Sequence, residues 1–254
     1  MPGEVLIGDF VFDKLDSINT LCGYVGNESN LTLPESYNGE SYAIGEKVFY
    51  GYTSLESITI PNSVTTIGSS AFYGCSSLTS VTIPNSVTTI GKDAFSNCKE
   101  LKSATICDGV KSIGAYAFAG CNNMETLYIS STIEGIGNCA FTGCNNIFEI
   151  KTASKKAVTA SENVFSSDAY INACLYVPAG RKFAYEKATP WNNFYIVEMD
   201  FTGIDEVLED VKTEPAVDTS QNVKMQTIYD LNGRAVENPS NGIYIVNGKK
   251  MLVK

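Results

Sequence analysis

Between residues 55 and 146 the apolar positions recur every 23 residues. The first unit runs L-E-S-I-T-I-P-N-S-V-T-T-I-G-S-S-A-F-Y-G-C-S-S from Leu55, and it restarts at Leu78, Leu101, Met124 and, fading, at Ile147. Ile58, Val81, Ala104, Leu127 and Ile150 form one apolar column, and Ile60, Ile83, Ile106 and Ile129 form the next. Serines and threonines alternate with them, the period of two expected of a short strand with one wet face. Pro61 and Pro84 end that strand, because proline has no N–H for a ladder. Val64, Val87, Val110 and Ile133 come next, each three residues before Ile67, Ile90, Ile113 and Ile136. A glycine follows each time (Gly68, Gly91, Gly114, Gly137), which predicts a corner with positive φ or close approach to the neighbouring unit. Phe72, Phe95, Phe118 and Phe141 follow the corner, and Cys75, Cys98, Cys121 and Cys144 close the unit.

Self-similarity at this period marks a solenoid, in which one coil buries its apolar face only against the next. The predicted fold is mostly β. Successive first strands build one parallel sheet, and the phenylalanine column forms a continuous aromatic spine. About seven rungs are expected, at 31–33, 58–60, 81–83, 104–106, 127–129, 150–152 and 175–177. The first coil carries four extra residues around 37–41, either a bulge or a binding loop. The sixth is interrupted by K-T-A-S-K-K after Ile150, and Phe165 takes the phenylalanine place one residue late.

Solenoid ends need covers. Residues 1–30 are expected to cap the N-terminal end, with a hairpin about the polar turn at 16–19. Residues 31–200 hold the solenoid and its C-terminal cap: a short helix within 179–188, marked by Phe183, Ala184 and Lys187, then Trp191, Phe194, Ile196 and Val197 as a seal. Residues 201–222 form an acidic linker with one candidate strand at 204–208; between 204 and 222 there are six acids against Lys212. Residues 223–254 form a small all-β module, with strands at 225–229, 234–237, 243–246 and 251–253 and a hairpin signal at Asn247-Gly248.

The 23-residue unit resembles the BspA-type leucine-rich repeat, L-x-x-[VI]-x-I-P-x-x-[VL]-x-x-I-G-x-x-A-F-x-x-C, over roughly residues 31 to 178. The commoner leucine-rich repeat wants asparagine where this chain has Ser63, Ser86, Gly109 and Thr132. The ending V-P-A-G-x-x-x-A-Y…W-x-x-F is similar to the family's terminal repeat. The tail Y-D-L-N-G-R…N-G-I-Y-I-V-N-G-K-K-M-L-V-K resembles the C-terminal sorting domain of type IX secretion substrates. These resemblances imply a secreted or cell-surface protein, extracellular or on the outer-membrane surface, with adhesins among its relatives. M-P-G-E-V-L-I-G-D-F lacks a basic start and an apolar core, so either the protein is cytosolic or a signal peptide has been trimmed, and the tail's resemblance to a sorting domain favours trimming.

Composition narrows the chemistry. A net charge of −10 argues against a sequence-independent grip on nucleic acid, which needs a positive footprint. No apolar run approaches the length of a membrane span. There is no histidine, so the commonest general base and metal ligand is missing. No C-x-x-C pair and no G-x-G-x-x-G occur; Glu56 and Glu125 share a column but stand three rungs apart, and Glu149 falls in the next column. The chain is therefore expected to be non-catalytic, without metal or cofactor. The four column cysteines are expected to be buried thiols, since stacked parallel side chains give poor torsions for a disulfide.

What remains is a long regular surface. Its early rungs present Thr59, Thr82 and Thr105, ordinary strand formers. Its later rungs add aromatic and charged groups: Lys102, Glu125, Tyr128, Phe148, Lys151 and Tyr176. Such mixtures serve protein or glycan contacts, unless the terminal helix covers them. The expected partner is a protein of a host or neighbouring-cell surface or matrix, with a glycan as the alternative. A third possibility is a passive or self-associating surface element.

Overall fold

A computed structural model describes residues 4–201 in full, together with the backbone of four strands in the tail. Two compact units result, Met1–Met199 and Asp200–Lys254.

The first unit is the solenoid. Its first-strand sheet orders Ser80–Ile83, Ser103–Ile106, Thr126–Ile129, Glu149–Thr152, Cys174–Pro178 and Tyr195–Met199 in parallel, and Asn30–Thr32 pairs with Ser57–Thr59 ahead of them. Register follows the repeat: Ser80, Ser103, Thr126 and Glu149 are successive partners. Tyr195–Met199 is an eighth rung beyond the seven expected, pairing residue for residue with Cys174–Pro178.

A second sheet runs along the adjoining side. Tyr42–Ile44, Val64–Ile67, Thr89–Ile90, Ser112–Ile113, Gly135–Ile136 and Thr159–Ala160 form its parallel part. The N-terminal cap extends this sheet: Val5–Ile7, Phe10–Leu15 and Ile18–Tyr24 form an antiparallel meander joined to it through Leu21 and Ile44. The hairpin turn lies at Asp16-Ser17, both with positive φ, within the expected polar segment. On the third side the coils are joined through the phenylalanine amides, Phe72 to Ala94 at 2.7 Å and Phe95 to Ala117 at 2.7 Å. Each repeated coil thus hands backbone hydrogen bonds to the next on three sides, leaving few buried peptide groups unpaired.

The aromatic spine is present. Rings of Phe49, Phe72, Phe95, Phe118, Phe141 and Phe165 stack at 4.9 to 5.4 Å with interplanar angles of 4 to 13°. Tyr24 covers one end at 5.7 Å, and Trp191 and Phe194 meet Phe165 edge-on at the other. The cysteines run beside the spine. Cys98 Sγ donates to the Phe72 carbonyl at 3.2 Å, and Cys75, Cys121 and Cys144 repeat this toward Phe49, Phe95 and Phe118. None of the eight cysteines is in a disulfide.

The corner glycines resolve in favour of close approach. A Cβ on Gly91 would lie 2.7 Å from the carbonyl carbon of Gly68, and one on Gly137 would lie 2.4 Å from the Ala115 nitrogen. Positive φ falls two residues later, at Ser70, Asp93, Tyr116 and Cys139. In the first coil the extra residues form a tight turn, with Tyr37 and Glu40 exchanging 3.0 Å backbone bonds. Tyr37 is buried and stacks on Phe12 at 4.6 Å, while residues 38–41 are exposed. The C-terminal cap differs from expectation in detail. Helix α1 spans Ser167–Asn172, and helix α2 spans only Lys182–Glu186. Tyr185 is the buried residue of α2, whereas Phe183 is 71% exposed.

In the second unit Ile228–Tyr229, Ala235–Val236, Gly242–Val246 and Lys249–Val253 form an antiparallel sheet. Val246 pairs with Lys249 across two residues, as the Asn-Gly signal requires. The linker and its candidate strand at 204–208 lie outside the described residues.

Candidate recognition face

The outward positions of the first-strand sheet fall into columns because every strand is parallel and in register. Thr105, Tyr128, Lys151, Tyr176 and Val197 are successive partners along one column. Strand spacing of about 4.8 Å puts Tyr128 and Tyr176 about 10 Å apart on either side of Lys151. Thr126, Glu149, Cys174 and Tyr195 form the column beside it. Lys151 Nζ meets Glu149 Oε1 at 2.8 Å, with both side chains about one-third exposed. The pair is wet, so it orients the lysine more than it stabilises the fold.

Tyr128, Lys151 and Tyr176 are thus brought together. Lys102, Glu125 and Phe148 lie in a different column, just before their strands, linked by Glu125 N–H to the Lys102 carbonyl at 2.8 Å and Phe148 N–H to the Glu125 carbonyl at 3.0 Å. The six expected residues therefore occupy two parallel files, one on the sheet and one at its entrance. Tyr128, Phe148 and Tyr176 are all half-buried. Burial pushes the Tyr176 phenol above its ordinary range, with Cys174 and Glu149 adding to the effect. It therefore stays a neutral hydroxyl, able to donate or accept.

Helix α2 caps the end of the stack. Its Tyr185 hydroxyl donates to the carbonyls of Ser154 at 2.9 Å and Lys156 at 3.0 Å, both in the turn beyond the sheet edge. Two neighbours of the face escaped the sequence reading: Tyr195, 42% exposed, and Lys182, whose ammonium stands 5.9 Å from the Tyr195 ring. The signal for Tyr195 was the alternation in Y-I-V-E-M, here assigned to a seal. Among the described residues no cluster of three or more acidic, cysteine or histidine side chains is placed to hold a metal ion. No helix among them is long and apolar enough to cross a membrane.

A family profile for the BspA type leucine rich repeat region matches residues 42–172 in six copies. The chain belongs to the BspA-type leucine-rich-repeat family. It is similar to the solved leucine-rich-repeat protein TpLRR of T. pallidum, at 25% identity and a TM-score of 0.55, over 58% of this chain and 71% of that one. It also shares its fold with the pneumococcal vaccine antigen PcpA, at 19% identity and a TM-score of 0.56, over 74% of this chain. It spans about half of PcpA, 47% of that chain. No curated protein matches the chain.

Proposed function

We propose that this BspA-type protein is a non-catalytic recognition module, exposed outside the cell or on the outer-membrane surface. It binds a host or neighbouring-cell protein through the first-strand sheet. The observation that carries this reading is the in-register file of Tyr128, Lys151 and Tyr176, each partly exposed, on successive strands of the first-strand sheet. Half-buried tyrosines around an oriented lysine offer large contact area at small entropy cost, the composition of interface anchors. Family membership supports a surface role, and the tail's resemblance to a sorting domain supports export.

The test compares capture of solubilised host matrix protein by the full chain and by the Tyr128→Ala/Lys151→Ala/Tyr176→Ala variant. Loss of a specific captured protein, with thermal unfolding unchanged, agrees with the reading. Equal capture by a folded variant removes this face from it.

A further inference from the structure

A second place on the solenoid departs from the repeat. From Ile106 to Ser112, and from Ile129 to Gly135, the chain crosses between the two sheets in six positions; from Thr152 to Thr159 it takes seven. The extra residue falls in the A-S-K-K-A-V turn, within the intrusion noted in the sequence. Beside it lies an open depression of about 600 Å³, walled by the Ser131–Glu134 turn of the preceding coil and by residues 153–159. Its lining comes from the crossings between the two sheets and includes none of Tyr128, Lys151 and Tyr176.

The turn is held from beneath. Ser154 is buried and donates its hydroxyl to the Lys156 carbonyl at 2.7 Å. The buried Tyr185 hydroxyl reaches the Ser154 and Lys156 carbonyls, and the buried Trp191 indole N–H donates to the Val158 carbonyl at 2.7 Å. Buried aromatic donors of the C-terminal cap thus fix an inserted loop that carries two exposed lysines. Among the described residues no carboxylate lies within ion-pair distance of either ammonium, although the chain has a net charge of −10. Across the depression, Glu134 is paired with Lys111 at 3.8 Å.

We infer that this depression is a binding site for an acidic sugar, with Lys155 and Lys156 taking the sugar carboxylate. Thr159 lines the same space and offers its hydroxyl to the sugar, Ser131 Oγ donates to Asp108 Oδ1 at 2.9 Å and is left as an acceptor, and partly exposed Ala153 and Ala157 give an apolar patch for a C–H face. The volume suits one or two rings. Since the carbonyls of Ser154, Lys156 and Val158 are already engaged, this loop has little backbone to offer an added peptide strand. Pre-organisation from below reduces the ordering cost of binding.

The site is tested on the full chain by calorimetric titration with digalacturonate and with sialyllactose, which carry the carboxylate on a uronic and a nonulosonic sugar. Lactose and sodium sulfate serve as neutral and inorganic arms. The expected result is saturable binding of at least one acidic sugar, no binding of lactose, and affinity reduced about ten-fold or more in Lys155→Ala/Lys156→Ala. Both lysines are exposed, so the variant keeps the fold, and its Tyr128 file is untouched. The inference is overturned if neither acidic sugar binds, if the double variant binds them as well as the parent, or if sulfate binds as tightly as the sugars.

Discussion

Gly114 lies directly over Gly91: a Cβ on Gly114 would sit 2.6 Å from the Gly91 carbonyl carbon and 2.6 Å from the Lys92 nitrogen. Both obstacles are backbone, which cannot step aside without parting two coils. Gly114→Ala is therefore expected to destabilise the solenoid by about 2 kcal/mol or more. Gly51→Ala meets nothing within 4 Å and suffers only its φ of +70°, so it should cost less, about 1 kcal/mol. Urea unfolding of both variants checks the order. Equal losses would show that the corner column is not a contact between coils.

The spine predicts a larger effect in mid-stack. Phe95 is fully buried between Phe72 at 4.9 Å and Phe118 at 5.1 Å. Phe95→Ala removes stacking on both sides and is expected to cost about 3–5 kcal/mol, read from the urea midpoint. A loss below 1 kcal/mol would mean the file carries little of the stability.

Burial also sets the behaviour of the thiols. It pushes Cys75 and Cys121 well above their ordinary value of 9.0, with neighbouring column cysteines adding to the effect. In the unfolded chain these thiols ionise above 9.0, while in the folded chain they stay protonated. Stability from this source is complete below pH 9 and is lost as pH rises toward the folded values. Tyr42, also raised by burial, acts in the same direction from 10.0 upward. Urea midpoints at about pH 8 and about pH 10.5 should therefore fall with pH, and less steeply in Cys75→Ala. Without reductant, a thiol reagent should count eight groups after denaturation and far fewer before it. A denatured count near zero would contradict the buried-thiol column.

The parts of this fold legible in the sequence were those written in columns. Phe72 to Phe141, Cys75 to Cys144 and the alternation around Ile58 and Ile60 repeat one chemical type at one spacing, and each column became a stack. The second sheet was not legible, because segments such as Ser112–Ile113 are too short for an alternation to show. The left-handed positions were hidden for another reason: Ser70, Asp93, Tyr116 and Cys139 share a backbone conformation but no side chain. At the corner glycines the residue type allowed two explanations, and only the distance from Gly91 to Gly68 separates them. On the candidate face, Tyr128, Lys151 and Tyr176 could be placed by counting 23 and 25 residues along the chain. Tyr195 could not, since its rung carries none of the repeat motif and begins 21 residues after Cys174.

In the proposed function, partner recognition belongs to the first-strand sheet of the later rungs. The most direct measurement is capture of matrix protein by three folded proteins side by side: the parent, Tyr128→Ala/Lys151→Ala/Tyr176→Ala, and a control, Tyr50→Ala/Tyr73→Ala. The control removes an aromatic pair outside the first-strand sheet, rings 4.8 Å apart. Capture reduced about ten-fold or more in the first variant and retained in the control is the predicted result. Capture lost in the control and retained in the sheet-face variant would contradict the account.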